Sequence, residues 1–301
     1  MLQALLYILS GIIQGLLEWI PVSSKSNLVI FLMNFGNLNL SQSFNVAMML
    51  HLGTVLAAII YFRKEIASLL RLDVIIGMFT SDLKYRQHRN ESIYLKFITI
   101  TVILTFLIMG PIYLLARNHL DSINAGIVLL FVGVILVIVG LVQYLSRKNT
   151  RREATLSGRN AGILGFFQGL TIIPGVSRSG ITTSVLLFEG FTPEKAFKIS
   201  FLLSIPTVVI GEIGLMIING FVFTKYILLG IIFSFIVGYL MIDVILRIAK
   251  KVDFSYFCMG LGIIYVLIYL GAIIFNFTLW LNLLFCIKCK TILLNYLYLL
   301  L

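Results

Sequence analysis

Charged residues are scarce in this 301-residue sequence. Asp, Glu, Lys and Arg together make up 12% of it, whereas 60% of the residues are hydrophobic, and the mean hydropathy is +1.06. A water-soluble domain has about 25% charged residues, so this composition excludes an ordinary soluble enzyme. Because a lipid bilayer accepts an apolar exterior, the sequence predicts an all-α polytopic membrane protein.

Acidic residues are rarer than basic ones, at 12 against 23, which gives a net charge of +11. Such an excess can indicate a nucleic-acid-binding protein. Here, however, the basic residues fall in three stretches between apolar runs, namely Arg63 to Arg89, Arg147 to Arg159 and Arg247 to Lys251. This is the positive-inside pattern of cytoplasmic loops. We therefore expect a multi-pass protein of the cell membrane and no nucleic acid partner.

Cysteine is scarce as well, and two of the three cysteines form a lone Cys286-x-x-Cys289 in an apolar tail. With no second pair and no histidine nearby, neither a zinc site nor a redox motif is supported. The tail, residues 277–301, contains Lys288 and Lys290 and has no role that the sequence defines. Its composition leaves open whether it is an interfacial or a transmembrane helix.

Six apolar runs are each long enough to cross a hydrocarbon core, which takes about 20 residues. They cover roughly 43–62, 93–115, 123–145, 197–219, 226–247 and 254–276. Two further apolar segments, 3–33 and 160–189, carry a cation, a proline and several hydroxyl groups near their middle. Non-helical backbone at membrane depth is tolerated only inside protein or beside a wet cavity. These two segments are therefore predicted to be re-entrant helical hairpins.

The predicted topology divides a single membrane domain, residues 1–276, into two halves of about 1–145 and 160–276. With the basic loops on the cytoplasmic side, each half has one hairpin and three spans. An odd number of spans makes the halves an inverted repeat, and the short sequence Gln-Gly-Leu before an Ile-Pro pair occurs in both hairpins. Inverted repeats with broken helices place a polar site at the midplane, where we expect the hairpins to meet.

The two hairpins together supply the groups that a phosphate or diphosphate needs. Lys25 and Arg178 are cations, Glu18 is a carboxylate, and broken helices offer N–H groups at their positive ends. Two cations facing one acid predict an unpaired positive charge that binds an anion. The hydroxyl groups have an alternative role as hydrogen bonds between helices. The residues predicted to bind substrate are Gln14, Ser23, Lys25, Ser26, Asn27, Ser177, Ser179, Gly180 and Thr182.

Glu18 permits three interpretations. It can act as a general base toward a serine hydroxyl or water, hold a divalent cation against a diphosphate, or form an ion pair with Lys25 or Arg178. The cation would be Mg or Ca. Elsewhere, we interpret His51 as a packed helix residue, and Glu212 as a residue that pairs within the bundle.

Two motifs resemble the signatures of the undecaprenyl-diphosphate phosphatases, also called bacitracin-resistance proteins. The first runs from Gln14 to Ser24, and the second runs from Pro174 to Thr182 as P-G-V-S-R-S-G-I-T. The resemblance extends in order over about residues 5 to 276. It implies a membrane phosphatase that removes the terminal phosphate of a polyprenyl diphosphate and regenerates the monophosphate lipid carrier, with help from a divalent cation. It also implies resistance to bacitracin.

The resemblance assigns the catalytic roles. Glu18 matches the second acid of the family's E-x3-E motif, Ser24 matches the proposed nucleophile or its close partner, and Arg178 matches the phosphate-gripping arginine. Two positions depart from the pattern, because the first acid is Gln14 here and the histidine after the serine pair is Asn27. The alternative function is therefore a non-catalytic polyprenyl-phosphate binder or translocator. Whether the chain forms a homodimer is open.

Overall fold

The computed structural model describes residues 2–21, 23–38, 40–80, 87–119, 130, 133–134, 136–138, 140–141, 144–145, 154–172, 176–219, 226–249, 251 and 254–274. All regular structure within these residues is helical. The helices, numbered along the chain, are α1 (Leu2–Leu17), α2 (Ser24–Gly36), α3 (Leu40–Tyr61), α4 (Arg63–Leu69), α5 (Leu72–Phe79), α6 (Arg89–His119), α7 (Gly158–Gly169), α8 (Arg178–Phe188), α9 (Pro193–Asn219), α10 (Ile227–Ala249) and α11 (Phe254–Ile274).

Three helices of the described residues are long and apolar enough to cross a membrane: α6, α9 and α10. Helices α3 and α4 are bent by 74° at their junction and would count as a fourth span if they are taken together. The prediction of an all-helical membrane protein is confirmed at this level. Most of the predicted span 123–145 and the whole tail 277–301 lie outside the described residues.

Helix α10 shows what covers the outside of the bundle. One of its faces exposes a row of large apolar side chains, which are Leu228, Ile232, Ile236 and Leu240. Its inner face carries small residues, Gly230, Ser234 and Gly238, that pack against α1 and α3. An apolar outer face with small residues at the helix contacts is the arrangement of helices packed in lipid.

Both interrupted segments consist of two helices separated by a break at the predicted place. The first break lies between Leu17 and Ser24, and the second lies between Gly169 and Arg178 and includes a short 3₁₀ turn at Leu170–Ile172. Pro21 has no N–H group to continue a helix. Pro174 and Gly175 of the second break lie outside the described residues.

The two ends of each interrupted segment lie side by side. In the first segment, a Cβ atom on Gly36 near the end of α2 would lie 2.9 Å from Leu6 in α1. In the second, the backbone N–H of Ala154 before α7 donates to the carbonyl oxygen of Gly190 after α8, at 3.3 Å. Each segment therefore returns toward its starting point.

Close glycine contacts place each segment against a helix from the other half of the chain. A Cβ atom on Gly15 of α1 would lie 2.7 Å from the backbone nitrogen of Gly238 in α10, and one on Gly165 of α7 would lie 2.8 Å from the carbonyl oxygen of Thr101 in α6. Only glycine permits this approach of two helix backbones. Gly15 and Gly165 each belong to a G-x3-G pair, with Gly11 and Gly169 respectively.

Glu189 follows α8 outside the spans, and its burial should make the stability of the fold depend on pH. Burial raises the pKa of Glu189 from 4.5 to about 7, against the opposing charge of Arg159. Its Oε2 atom is buried without a hydrogen-bond partner among the residues described. Between pH 4.5 and 7 the folded state binds more protons than the unfolded state, so stability falls as pH rises through this window.

The variant Glu189→Gln should therefore raise the thermal unfolding midpoint at pH 8 and change it little at pH 5. The measurement is thermal unfolding of the detergent-solubilised protein at both pH values. Glu91→Gln removes a carboxylate near the start of α6 whose side chain is 38% exposed, and it serves as the control. An equal shift at both pH values would contradict the assigned role of burial.

Candidate functional site

The carboxylate of Glu18 is the centre of a buried polar cluster. Its Oε2 atom accepts hydrogen bonds from Gln14 Nε2 at 2.9 Å and from Ser24 Oγ at 2.8 Å, and His51 Nε2 lies 3.3 Å from the same oxygen. Its Oε1 atom accepts a hydrogen bond from Arg178 Nη2 at 2.5 Å. Three separate segments of the chain thus converge on one carboxyl group.

The turn that carries Glu18 is held by its neighbour Trp19. The indole N–H of Trp19 donates to the carbonyl oxygen of Gly238 in α10 at 2.9 Å, and its ring packs on Phe201 of α9 with centroids 4.8 Å apart. Trp19 is almost completely buried. Since α9 and α10 are membrane-length helices, the turn is attached to rigid elements, and the position of Glu18 is fixed accordingly.

The loop before α8 packs directly on this turn. Ser177 caps α8 by accepting a hydrogen bond from the backbone N–H of Gly180 at 3.1 Å. Ser179 Oγ donates to the carbonyl oxygen of Ile20 at 2.8 Å. A Cβ atom on Gly180 would lie 3.3 Å from Cβ of Pro21. These contacts join the two breaks and direct Arg178 at Glu18.

Two helices begin at the site, α2 at Ser24 and α8 at Arg178. Both first residues contact the carboxylate of Glu18. A helix N-terminus carries about half a positive charge and is a ready site for an anion. The side chain of Arg178 keeps 15% of its surface exposed. The arrangement can therefore receive a phosphate group at the point where the two helices start.

Lys25, the second predicted cation, has a carboxylate partner from another helix. Its Nζ atom lies 2.7 Å from Oε1 of Glu212 in α9. The expectation of an unpaired positive charge was therefore wrong, because it counted only the acid of the hairpins. Glu18 pairs with Arg178 and Glu212 pairs with Lys25. An incoming anion must compete with these two carboxylates.

His51 belongs to the site, although its position in a long apolar run suggested a packed helix residue. Its Nδ1 atom lies 2.7 Å from the carbonyl oxygen of Ala47. A carbonyl oxygen can only accept, so a proton occupies Nδ1, while Nε2 faces Glu18. The sequence did contain a signal for this role, since an ionisable residue inside a transmembrane segment is a functional candidate by default.

Comparison with protein families identifies the chain. The family model described as "Bacitracin resistance protein BacA" matches residues 7–266. This chain belongs to the BacA family. The resemblance noted in the two motifs is thereby confirmed for nearly the whole membrane domain, and the match includes Glu18, Ser24, His51, Arg178 and Glu212.

Curated relatives in the BacA family cover most of this chain. A protein of Methanococcoides burtonii is 35% identical over 260 residues, which are 86% of this chain and 96% of that protein. One from Saccharolobus islandicus is 36% identical, with 82% of this chain and 88% of that protein covered. One from Haloarcula marismortui is 34% identical, with 86% of this chain and 96% of that protein covered. All three are named undecaprenyl-diphosphatase.

Two of the predicted substrate-binding residues, Thr182 and Asn27, have hydrogen-bond partners within the protein. Thr182 contacts Ser200 of α9 at 2.5 Å and donates to the carbonyl oxygen of Arg178. Asn27 is exposed, and its amide donates to the carbonyl oxygen of the half-buried Ser23. The side chain of Ser26 lies outside the described residues.

The surroundings of Glu18 do not fit a protein-held divalent cation. No group of three or more His, Cys, Asp or Glu side chains with metal-site geometry occurs in the part of the chain that the structure describes. Each neighbour that contacts the Glu18 carboxylate is a hydrogen-bond donor or a cation, and these compete with a metal for the same oxygens. The interpretation of Glu18 as a metal ligand therefore has no support in its contacts.

Proposed function

We propose that this chain is a membrane phosphatase that removes the terminal phosphate of a polyprenyl diphosphate of the undecaprenyl type and leaves the monophosphate lipid carrier. The observation that carries the proposal is the convergence of Ser24 and Arg178 on the two oxygens of Glu18. Phosphoryl transfer by this route needs a nucleophile, a base and a group that binds phosphate. Here a serine hydroxyl and a guanidinium both contact the carboxylate that can act as the base. The names of the relatives agree with it.

The geometry supports a sequence of proton transfers through Glu18. Arg178 and the two helix N-termini bind the terminal phosphate. Ser24 Oγ attacks the phosphorus as its proton passes to Glu18, and the bond to the bridging oxygen breaks. The lipid monophosphate leaves with the bonding electron pair and receives that proton. Glu18 then takes a proton from water, which attacks the phosphoserine, and returns a proton to Ser24 as inorganic phosphate departs.

His51 can assist both steps from its place beside Glu18. At 3.3 Å from the carboxylate, the imidazole is positioned to stabilise the ionised form of Glu18 or to relay its proton. The Nδ1 contact to Ala47 holds the ring in this orientation. The site thus has a histidine near its base, although the family position for histidine is occupied by Asn27.

The proposed fold places this chemistry in the middle of the bilayer. It consists of six spans and two re-entrant hairpins that form an inverted repeat within residues 1–276, in the cell membrane. Three kinds of contact support it: the adjacent ends of both hairpins, the matching glycine contacts with α10 and α6, and the ion pair at 2.8 Å between Lys198 and Glu65. That pair joins the start of α9 to α4, the short helix that follows α3.

The test is release of inorganic phosphate from C55 polyprenyl diphosphate by the purified chain, at pH 5 to 8, with Mg²⁺, Ca²⁺ or EDTA. We expect release, and the Methanococcoides burtonii relative assayed in parallel shows that the conditions are suitable. The proposal fails if only the relative releases phosphate. A divalent cation requirement stays a prediction, and the EDTA series tests it; such a cation would be carried largely by the phosphate oxygens.

The alternative is a binder or translocator, and reconstituted vesicles distinguish it from the phosphatase. Movement of a polyprenyl phosphate between leaflets without phosphate release would support translocation. An inverted repeat suits alternating access, whereas the hydrogen bond from Ser24 to Glu18 is a catalytic feature that transport does not need. The phosphatase is therefore the function that the site supports best.

A further inference from the structure

The ion pair between Lys25 and Glu212 lies next to the catalytic groups but takes no part in the chemistry described above. Lys25 follows Ser24 in the first turn of α2, and Glu212 lies in α9, 187 positions further along the chain. The Nζ to Oε1 distance is 2.7 Å, with 24% of the Lys25 side chain and 10% of the Glu212 side chain exposed. The lysine is thus the more accessible partner.

The two carboxylates of the site, Glu18 and Glu212, differ in how many of their oxygen atoms accept hydrogen bonds. Glu18 has donors on both oxygens, from Gln14, Ser24 and Arg178. Glu212 has Lys25 on one oxygen, whereas its buried Oε2 atom has no hydrogen-bond partner within the described ranges. A buried carboxylate with an unsatisfied oxygen is a weakly stabilised partner. The lysine ammonium, on a flexible stem, can turn to a better anion.

The Lys25–Glu212 pair starts at the residue next to Ser24, whose Oγ atom contacts Glu18. Lys25 is adjacent to Ser24 in the first turn of α2, and Ser24 and Arg178 contact the same carboxylate. The pair therefore lies beside the Glu18–Arg178 pair, and each of two neighbouring cations faces its own carboxylate. A diphosphate carries two linked phosphate groups, so it can engage both cations at once. A monophosphate can engage only one at full strength.

We propose that the Lys25–Glu212 pair is a displaceable contact that selects a diphosphate over a monophosphate and helps to release the product. The proposal rests on the diphosphate substrate proposed above. While the terminal phosphate is bound at Arg178, the lipid-linked phosphate takes Lys25 away from Glu212. After the terminal phosphate is removed, Glu212 competes with the remaining monophosphate for Lys25 and favours its departure.

Opposite effects of the two partners on binding distinguish this proposal from a structural ion pair. The probes are farnesyl methylenediphosphonate, which cannot be hydrolysed at its bridge, and farnesyl monophosphate. Lys25→Ala should weaken diphosphonate binding roughly tenfold, the size expected for one partly exposed contact to phosphate. Glu212→Gln should strengthen monophosphate binding by about as much, because the carboxylate of Glu212 then no longer competes with the phosphate for Lys25.

The ion pair between Lys198 and Glu65 gives a matched control, since it has a similar distance but lies outside the site. Glu65→Gln should leave both dissociation constants unchanged. If Glu212→Gln does not fold, Glu212→Asp keeps the charge, draws it back from Lys25 and should strengthen monophosphate binding less. Weaker binding in both partner variants, or no change in monophosphate affinity with Glu212→Gln, would overturn the proposal.

The binding measurements do not depend on turnover, so the two proposals can fail separately. If no phosphate is released but the opposite shifts appear, the phosphatase assignment is wrong and the displaceable contact stands. If phosphate is released without these shifts, the pair is structural and the phosphatase assignment stands. In an active protein, Glu212→Gln should also make farnesyl monophosphate a stronger competitive inhibitor.

Discussion

The variant Arg178→Ala should release no detectable inorganic phosphate from a polyprenyl diphosphate, a loss of at least about 10³-fold. Arg178 is the residue that can grip phosphate oxygens with two parallel hydrogen bonds at the start of α8. Its guanidinium already lies against Glu18, so a phosphate bound there would meet Ser24 as well. The measurement is phosphate release under conditions in which the unaltered chain is active.

Two further variants separate the loss of the phosphate grip from damage to the fold. Arg178→Lys keeps the charge beside the buried Glu18 but loses the two-pronged contact, so we expect a stable protein with a partial loss of activity. Arg247→Ala removes an arginine whose side chain is 79% exposed and pairs with Asp243 at the end of α10, and it should be fully active. Phosphate release by a folded Arg178→Ala protein would remove Arg178 from the mechanism.

The sequence was informative about the hairpins because of a simple physical constraint. A charged or hydroxyl-rich stretch cannot face lipid, so its polar groups must be buried against one another. Glu18, Ser24 and Arg178 follow this rule, and the sequence alone predicts that the two hairpins that carry them meet. The alternative role of the hydroxyl groups, hydrogen bonding between segments, is seen at Ser179, which donates to the carbonyl oxygen of Ile20.

The groups contributed by the long helices could not be placed in this way. His51 and Glu212 each lie in an apolar helix, and hydropathy does not tell which face of a buried helix points at a particular neighbour. Their role became clear only from the packing of α3 and α9 beside the first hairpin, which puts His51 near Glu18 and Glu212 near Lys25. A count of charges in the hairpins alone also leaves Lys25 without a partner, because Glu212, which pairs with it, lies in α9.

The departures from the family pattern affect the site less than their residue types suggested. Gln14 stands where the resemblance implies an acid, but its amide donates to Glu18 and so stabilises that carboxylate in its ionised form. Asn27 replaces a histidine at an exposed position, where it bonds to the backbone of its own helix turn. His51 already provides an imidazole next to Glu18. The proposed base, the proposed nucleophile and an imidazole therefore still lie together.

The variant Glu18→Gln should lower the turnover rate by about 10²- to 10⁴-fold, the usual contribution of a general base. Glutamine can still accept a hydrogen bond from Ser24, but it cannot take the proton. The substitution also removes the negative charge that pairs with Arg178. The guanidinium is then available to the ligand, so binding of farnesyl methylenediphosphonate should be retained or become tighter. The expected signature is a large fall in kcat without a rise in KM, checked by phosphate release and by binding of the diphosphonate.

Glu91→Gln is the control for the loss of a carboxylate outside the site. If Glu18→Gln binds and hydrolyses the diphosphate at the normal rate, another group activates Ser24, and the proton transfers assigned to Glu18 do not occur.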